Sequence, residues 1–106
     1  MNQRFGNMPS HYDPESDPNQ DPFVVPIEDV LDLHSVSAKD VEAVVLEYLS
    51  EVRRLGFKAI RIIHGRGIGV QREIVRKVLS RTSFVTSYGD APAEAGGWGA
   101  TVVNLE

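Results

Sequence analysis

Between Val41 and Leu55 apolar side chains return every three or four positions: Val41, Val44, Val45, Tyr48, Leu49, Val52 and Leu55. Glu42, Glu47, Glu51 and Arg54 lie outside that stripe. The period is that of an α-helix with one buried face. Ser37 and Asp40 have the spacing of a capping box at its start, and Gly56 stands where a left-handed C-terminal cap is wanted. Before this helix, Asp29 to His34 reads as a strand. Leu31 and Leu33 point one way; Val30, Asp32 and His34 point the other. After it, Lys58 to His64 reads as a second strand, its Ile60, Ile62 and Ile63 suggesting burial on both faces. A helix over about 70–81 follows, burying Ile74, Val78 and Leu79 and exposing Arg72, Arg76 and Lys77. Phe84 to Tyr88 reads as a third strand, residues 90–97 as a turn-rich connection, and Ala100 to Leu105 as the last strand of an antiparallel hairpin.

The predicted order is β-α-β-α-β-β. A strand–helix–strand unit of this length implies parallel pairing with a right-handed crossover. The expected fold is therefore a two-layer α/β sandwich with a mixed four-stranded sheet, occupying residues 23–106. Residues 1–22 hold four of the six prolines among Asp, Asn, Gln and Ser. Such a stretch buries too little apolar surface to offset its ordering entropy, so a disordered acidic tail is expected there. Phe23 to Ile27 reads as an extended piece packing on the domain edge.

The 106 residues suffice for one modest core. With no cysteine there is neither a disulfide nor a thiolate site, and no run approaches membrane-spanning length. A cytoplasmic protein without membrane attachment is the expectation. The net charge of −4 conceals a segregation. Seven of the fifteen acids lie in residues 1–32, whereas residues 53–81 carry nine bases against Glu73 alone. That basic zone is the footprint of a surface that meets phosphates.

The zone brackets His64-Gly65-Arg66-Gly67-Ile68-Gly69, where a strand stops at a histidine and three glycines alternate into a helix start. Glycines let backbone amides turn outward, and a helix N-terminus adds unpaired N–H groups, so the junction suits an anion, with Arg66 inside it. If the first two strands are parallel neighbours, His34 and His64 end them side by side, with Asp32 on the face of His34. Ligands of open α/β sheets gather at such strand ends. Imidazole suits proton transfer at a phosphodiester oxygen, and Arg66 with the loop amides suits the charge that develops there. Each piece also has a plainer use: a structural histidine, a turn-capping aspartate, a tight turn. The glycine run is not a dinucleotide fingerprint, because it follows the second strand and lacks a second βαβ half. Gly96, Gly97 and Gly99 are expected to shape the hairpin around Trp98, whose alternative use is base stacking.

Three blocks, Leu31-Asp32-Leu33-His34, His64-Gly65-Arg66-Gly67 and Gly99-Ala100-Thr101-Val102-Val103, resemble in order and spacing the signatures of the Smr (small MutS-related) domain. The likeness covers about residues 27–105. It implies a fold like the C-terminal domain of translation initiation factor three, nucleic-acid binding, and nicking endonuclease activity in several members. By that resemblance Asp32, His34 and His64 are the catalytic candidates, with His64 as general acid or base and Asp32 orienting a histidine or a metal-bound water. Gly65, Arg66, Gly67, Gly69, Arg72, Arg76 and Lys77 are the candidates for holding DNA or RNA. Ser35 departs from the glycine usual after the first block. No ligand spacing calls for a metal, and a divalent ion such as Mg²⁺ is the cofactor left open. A binding module without turnover, and an adaptor that meets a protein partner through the acidic tail, are the alternatives.

Overall fold

The computed structural model describes residues 27–67 and 69–106; the expected tail over 1–22 and the edge piece up to Pro26 lie outside them. In chain order the elements are β1 (Val30–Asp32), α1 (Ala38–Arg54), β2 (Ala59–Ile63), α2 (Val70–Arg81), β3 (Val85–Asp90), two short 3-10 turns (Ala93–Ala95 and Gly97–Gly99) and β4 (Ala100–Leu105). The sheet order is β1-β2-β4-β3, with β1 parallel to β2 and β4 antiparallel to both its neighbours. This is the mixed four-stranded sheet the pattern predicts. Among the described residues no helix is long and apolar enough to cross a membrane.

Both helices cover one sheet face. Val41, Val45, Tyr48, Leu49 and Val52 of α1 and Val75, Val78 and Leu79 of α2 pack on Leu33, Ile60, Ile62, Val103 and Leu105. Burying an aliphatic side chain of this size contributes about 1.5–3 kcal/mol, so this row supplies much of the drive to fold. Ile60 is paired with Val103 and Ile62 with Thr101, which places alternate residues of β2 and β4 on the helix side. The other face carries Arg61, Ile63, Val102 and Asn104, half-buried or exposed. Burial on both faces of β2, expected from its isoleucines, is thus only partial.

Several boundaries move, each for a local reason. β1 is shorter than Asp29–His34 because the chain turns after Leu33: Val36 N–H bonds the Leu33 carbonyl, and His34 N–H bonds the Asp32 carboxylate. Ser37 is the N-cap of α1, but its hydroxyl donates to Asp40 Oδ2 at 3.0 Å rather than accepting from a backbone amide. At the other end Gly56 takes φ +87° as expected, and Phe57 N–H returns to the Val52 carbonyl. Leu55 lies beyond the last buried turn and is 47% exposed. In α2 it is Val75 that is fully buried, with Ile74 at the margin of the core. β3 runs on to Asp90, since Asp90 pairs with Thr101 of β4 and is held by arginines of α2.

Candidate functional site

β1 and β2 end side by side. Asp32 is in register with Ile63, and Leu33 N–H bonds the Ile63 carbonyl at 2.8 Å. Asp32, His34 and the 64–69 loop therefore emerge at one edge of the sheet. The two histidines there live in opposite environments. His34 stands out from the turn, its side chain 77% exposed. Asp32 Oδ1 accepts from both the backbone N–H and the ring Nδ1 of His34, each at 2.9 Å. These bonds, the backbone one foremost, hold the Asp32 carboxyl below its usual range. Nε2 of His34 has no partner among the described residues.

His64 continues the helix-facing row of Ile60 and Ile62 and is 5% exposed. Its Nδ1 meets the Gly65 carbonyl at 3.0 Å and its Nε2 meets Thr101 Oγ1 at 2.9 Å. A carbonyl only accepts, so Nδ1 carries the proton and Nε2 accepts from the threonine hydroxyl. Burial pushes the His64 pKa down, and the positive charges of Arg72 and Arg76 push the same way. The Gly65 bond and Asp90 oppose this without reversing it. Neutral His64 thus ties the loop to β4, and Thr101, fully buried, is satisfied by it.

The loop is fastened from the third block as well. The Gly99 carbonyl accepts both His64 N–H, at 3.0 Å, and Gly65 N–H, at 2.9 Å. The glycines beside Trp98 do more than turn the chain: a Cβ on Gly97 would lie 3.1 Å from Arg66 Nη2, and one on Gly99 would lie 3.1 Å from Arg66 Cγ. Arg66 is seated along that turn. Gly69, at φ +86°, is the N-cap of α2, with no side chain capping the first amides of the helix. A cleft of about 350 Å³ opens there between His64, Gly65, Gly67, Gly69, Gln71 and Arg72. It has the features of an anion seat: uncapped amides, glycine backbone and a neighbouring guanidinium.

The basic run is not one surface. Lys58 precedes β2 and His64 follows it, about 20 Å apart along the strand. Arg53 and Lys58 sit at the far end, against Glu106 and Phe84. Arg61 lies on the open sheet face and bonds the Ala95 carbonyl. Arg72 and Arg76, expected to be exposed, have side chains only 18% and 22% exposed. Asp90 Oδ1 takes Arg72 Nη2 at 2.7 Å and Arg76 Nη2 at 2.6 Å, and the first of these bonds leads in holding the Asp90 carboxyl low. Among the described residues Arg66 and Lys77 have no ion-pair partner. Also among the described residues, no three His, Asp or Glu side chains cluster as a metal site. From the sequence Thr101 and Asp90 have no role of their own at the site, although Thr101 lies in the third block; the structure sets Thr101 against His64 and Asp90 against Arg72 and Arg76.

The three blocks meet here as one unit, and residues 31–106 match the family profile described as the Smr domain. This chain belongs to the Smr domain family. Over 94 residues it is 36% identical to "Endonuclease MutS2" of Thermus thermophilus, covering 87% of this chain and 13% of that protein. It is 37% identical over 84 residues to "Endonuclease MutS2" of Aquifex aeolicus, covering 76% of this chain and 11% of that one. The chain thus spans about a tenth of the length of these relatives. The solved Smr domain of Thermus thermophilus MutS2 superposes with a TM-score of 0.69 at 38% identity, over 73% of this chain and 96% of that one. YdaL of Escherichia coli, a stand-alone small MutS-related protein, gives a TM-score of 0.72 at 25% identity, over 76% of this chain and 66% of that one.

Proposed function

We propose that this Smr domain binds nucleic acid at the 64–69 loop and cleaves phosphodiester bonds with His34 as its proton-transferring group. The observation that carries this reading is the Asp32–His34 pair. Its carboxylate fixes Nδ1 and leaves Nε2 open at the sheet edge from which the anion seat also emerges. In the forward step Nε2 takes the proton of the attacking hydroxyl or water, and Asp32 stabilises the imidazolium that results. Arg66 and the first amides of α2 hold the phosphate and the charge that grows on its oxygens. The leaving oxygen then receives a proton from the imidazolium or from water. His64, with both ring nitrogens committed, positions the loop instead of exchanging protons. DNA and RNA both present the phosphate this seat requires. The names of the MutS2 relatives favour a nuclease.

That same commitment of His64 favours a second reading, a module that binds without turnover. The deciding experiment is cleavage of supercoiled plasmid and of labelled single-stranded RNA, with and without Mg²⁺, by wild type, His34→Ala and His64→Ala purified identically. Turnover lost in His34→Ala with salt-dependent binding retained supports the nuclease. Wild-type turnover by His34→Ala overturns the assignment. Tight, salt-sensitive binding with no turnover by any of the three establishes the module.

A further inference from the structure

The only tryptophan of the chain, Trp98, is 39% exposed, yet it is braced on several sides. The Arg72 guanidinium lies 4.5 Å from the ring centroid, and Asp90 holds that arginine in turn. The outer edge of the indole rests on the 64–69 loop: a Cβ on Gly69 would sit 3.2 Å from Trp98 Cη2. The His64 ring stands at 89° to the indole, with centroids 6.5 Å apart. An aromatic serving only as core filler would be buried, and one exposed by chance would not be fixed by an arginine, an imidazole and a glycine backbone. Arg72 thus lies over the ring, and the part of the indole left exposed borders the 64–69 loop.

We propose that Trp98 is a stacking shelf for an unpaired base whose phosphate occupies the 64–69 loop. Single-stranded or locally unpaired nucleic acid is then the preferred ligand. The inference rests on the phosphate-binding role proposed above and adds the class of substrate. A base in a duplex is already stacked on both faces and must be extruded before it can meet an indole, whereas a single strand offers its base directly. The guanidinium on the ring strengthens the platform, since arginine and aromatic rings act together in strand-binding grooves. Every base has a π-face, so the shelf predicts little sequence preference.

Because Trp98 is the sole tryptophan, its fluorescence reports the contact directly. Wild type is titrated with a short single-stranded oligonucleotide and with a duplex of the same length, while labelled-strand anisotropy follows binding independently. The shelf predicts quenching that tracks single-strand binding, and tighter binding of the single strand than of the duplex. Trp98→Ala should weaken single-strand binding by roughly 5- to 150-fold and duplex binding much less, with Trp98→Phe retaining most of the affinity. Anisotropy showing binding while the wild-type fluorescence stays unchanged overturns the shelf and leaves the phosphate seat standing. So does equal weakening of both ligands by a folded Trp98→Ala. No salt-sensitive binding of either oligonucleotide overturns the phosphate seat, and the shelf with it.

Discussion

His34 and His64 stand just beyond the ends of neighbouring parallel strands, and the fold treats them oppositely. His34 follows two residues after Asp32, clear of the row formed by Leu31 and Leu33, and its ring keeps one nitrogen open to solvent. His64 shares the parity of Ile60 and Ile62, so it enters the helix layer and spends both nitrogens on the protein. Identical side chains at neighbouring strand ends thus differ because one lies in the turn that leaves β1 and the other continues the buried row of β2. A polar group placed in the buried row needs hydrogen-bond partners, and the two that His64 finds hold its ring in one tautomer between the loop and β4. The motif pairs the two histidines; the geometry separates them.

The sharpest way to break this contrast is to alter the exposed pair without altering its shape. Asp32→Asn keeps an oxygen able to accept the His34 amide but loses the charge that stabilises the imidazolium. Turnover should fall about 100-fold or more, while oligonucleotide affinity and urea midpoint stay near wild type. Turnover equal to wild type would remove Asp32 from the mechanism. At the buried end the loss should be of the other kind. His64→Ala leaves the Thr101 hydroxyl buried without its partner and frees the loop from β4. A destabilisation of about 1–3 kcal/mol in urea unfolding is expected, against less than about 0.5 kcal/mol for His34→Ala. If the two substitutions cost the same, the separation of roles fails.

Acid sharpens the same comparison. His64 has its pKa lowered in the folded protein, so below about pH 6.5 the unfolded chain takes up a proton there that the folded one refuses. The stability this group contributes is complete above the unfolded pKa and is lost as pH falls toward the folded value. Urea midpoints should therefore drop as pH falls below about 6.5, and His64→Gln should flatten that segment of the profile. Asp32 and Asp90, whose carboxyls are also held low, act in a separate window below about pH 4. A midpoint that does not change between neutrality and pH 5 would contradict the buried, neutral assignment of His64.

Much of this was legible beforehand. The α1 stripe, Gly56 and the alternation of β1 are local signals, and local signals carry directly into elements. The parity of His64 was also present in Ile60-Arg61-Ile62-Ile63-His64, but Ile63 blurred it by suggesting a strand buried on both faces. The parallel pairing of β1 with β2 was legible too, whereas the place of β4 beside β2 and the side-chain pairs it creates were not. Asp90 reads as a loop residue until β3 brings it beside Arg72 and Arg76. Thr101 reads as an ordinary strand threonine until β4 inserts next to β2 and sets it against His64. The signal for Trp98 was its flanking glycines, which leave room for Arg66 on one side and for the 64–69 loop on the other.

Charge suffered most from being read along the chain. Nine bases in residues 53–81 suggest one surface, yet the strand between Lys58 and His64 carries them to opposite ends of the sheet. Only the cations near the loop should then feel a bound phosphate. Arg66→Ala should lower oligonucleotide affinity and reduce the slope of log affinity against log salt by about 0.7–0.9, the share of one phosphate contact. Lys58→Ala, which loses a bond to the Glu106 carbonyl at the far end, should leave both unchanged. This is the smallest of the expected effects, and it separates two pictures cleanly. A strand confined to the loop end responds to Arg66 alone, whereas a strand running the length of β2 responds to both substitutions, each subtracting its own counterion.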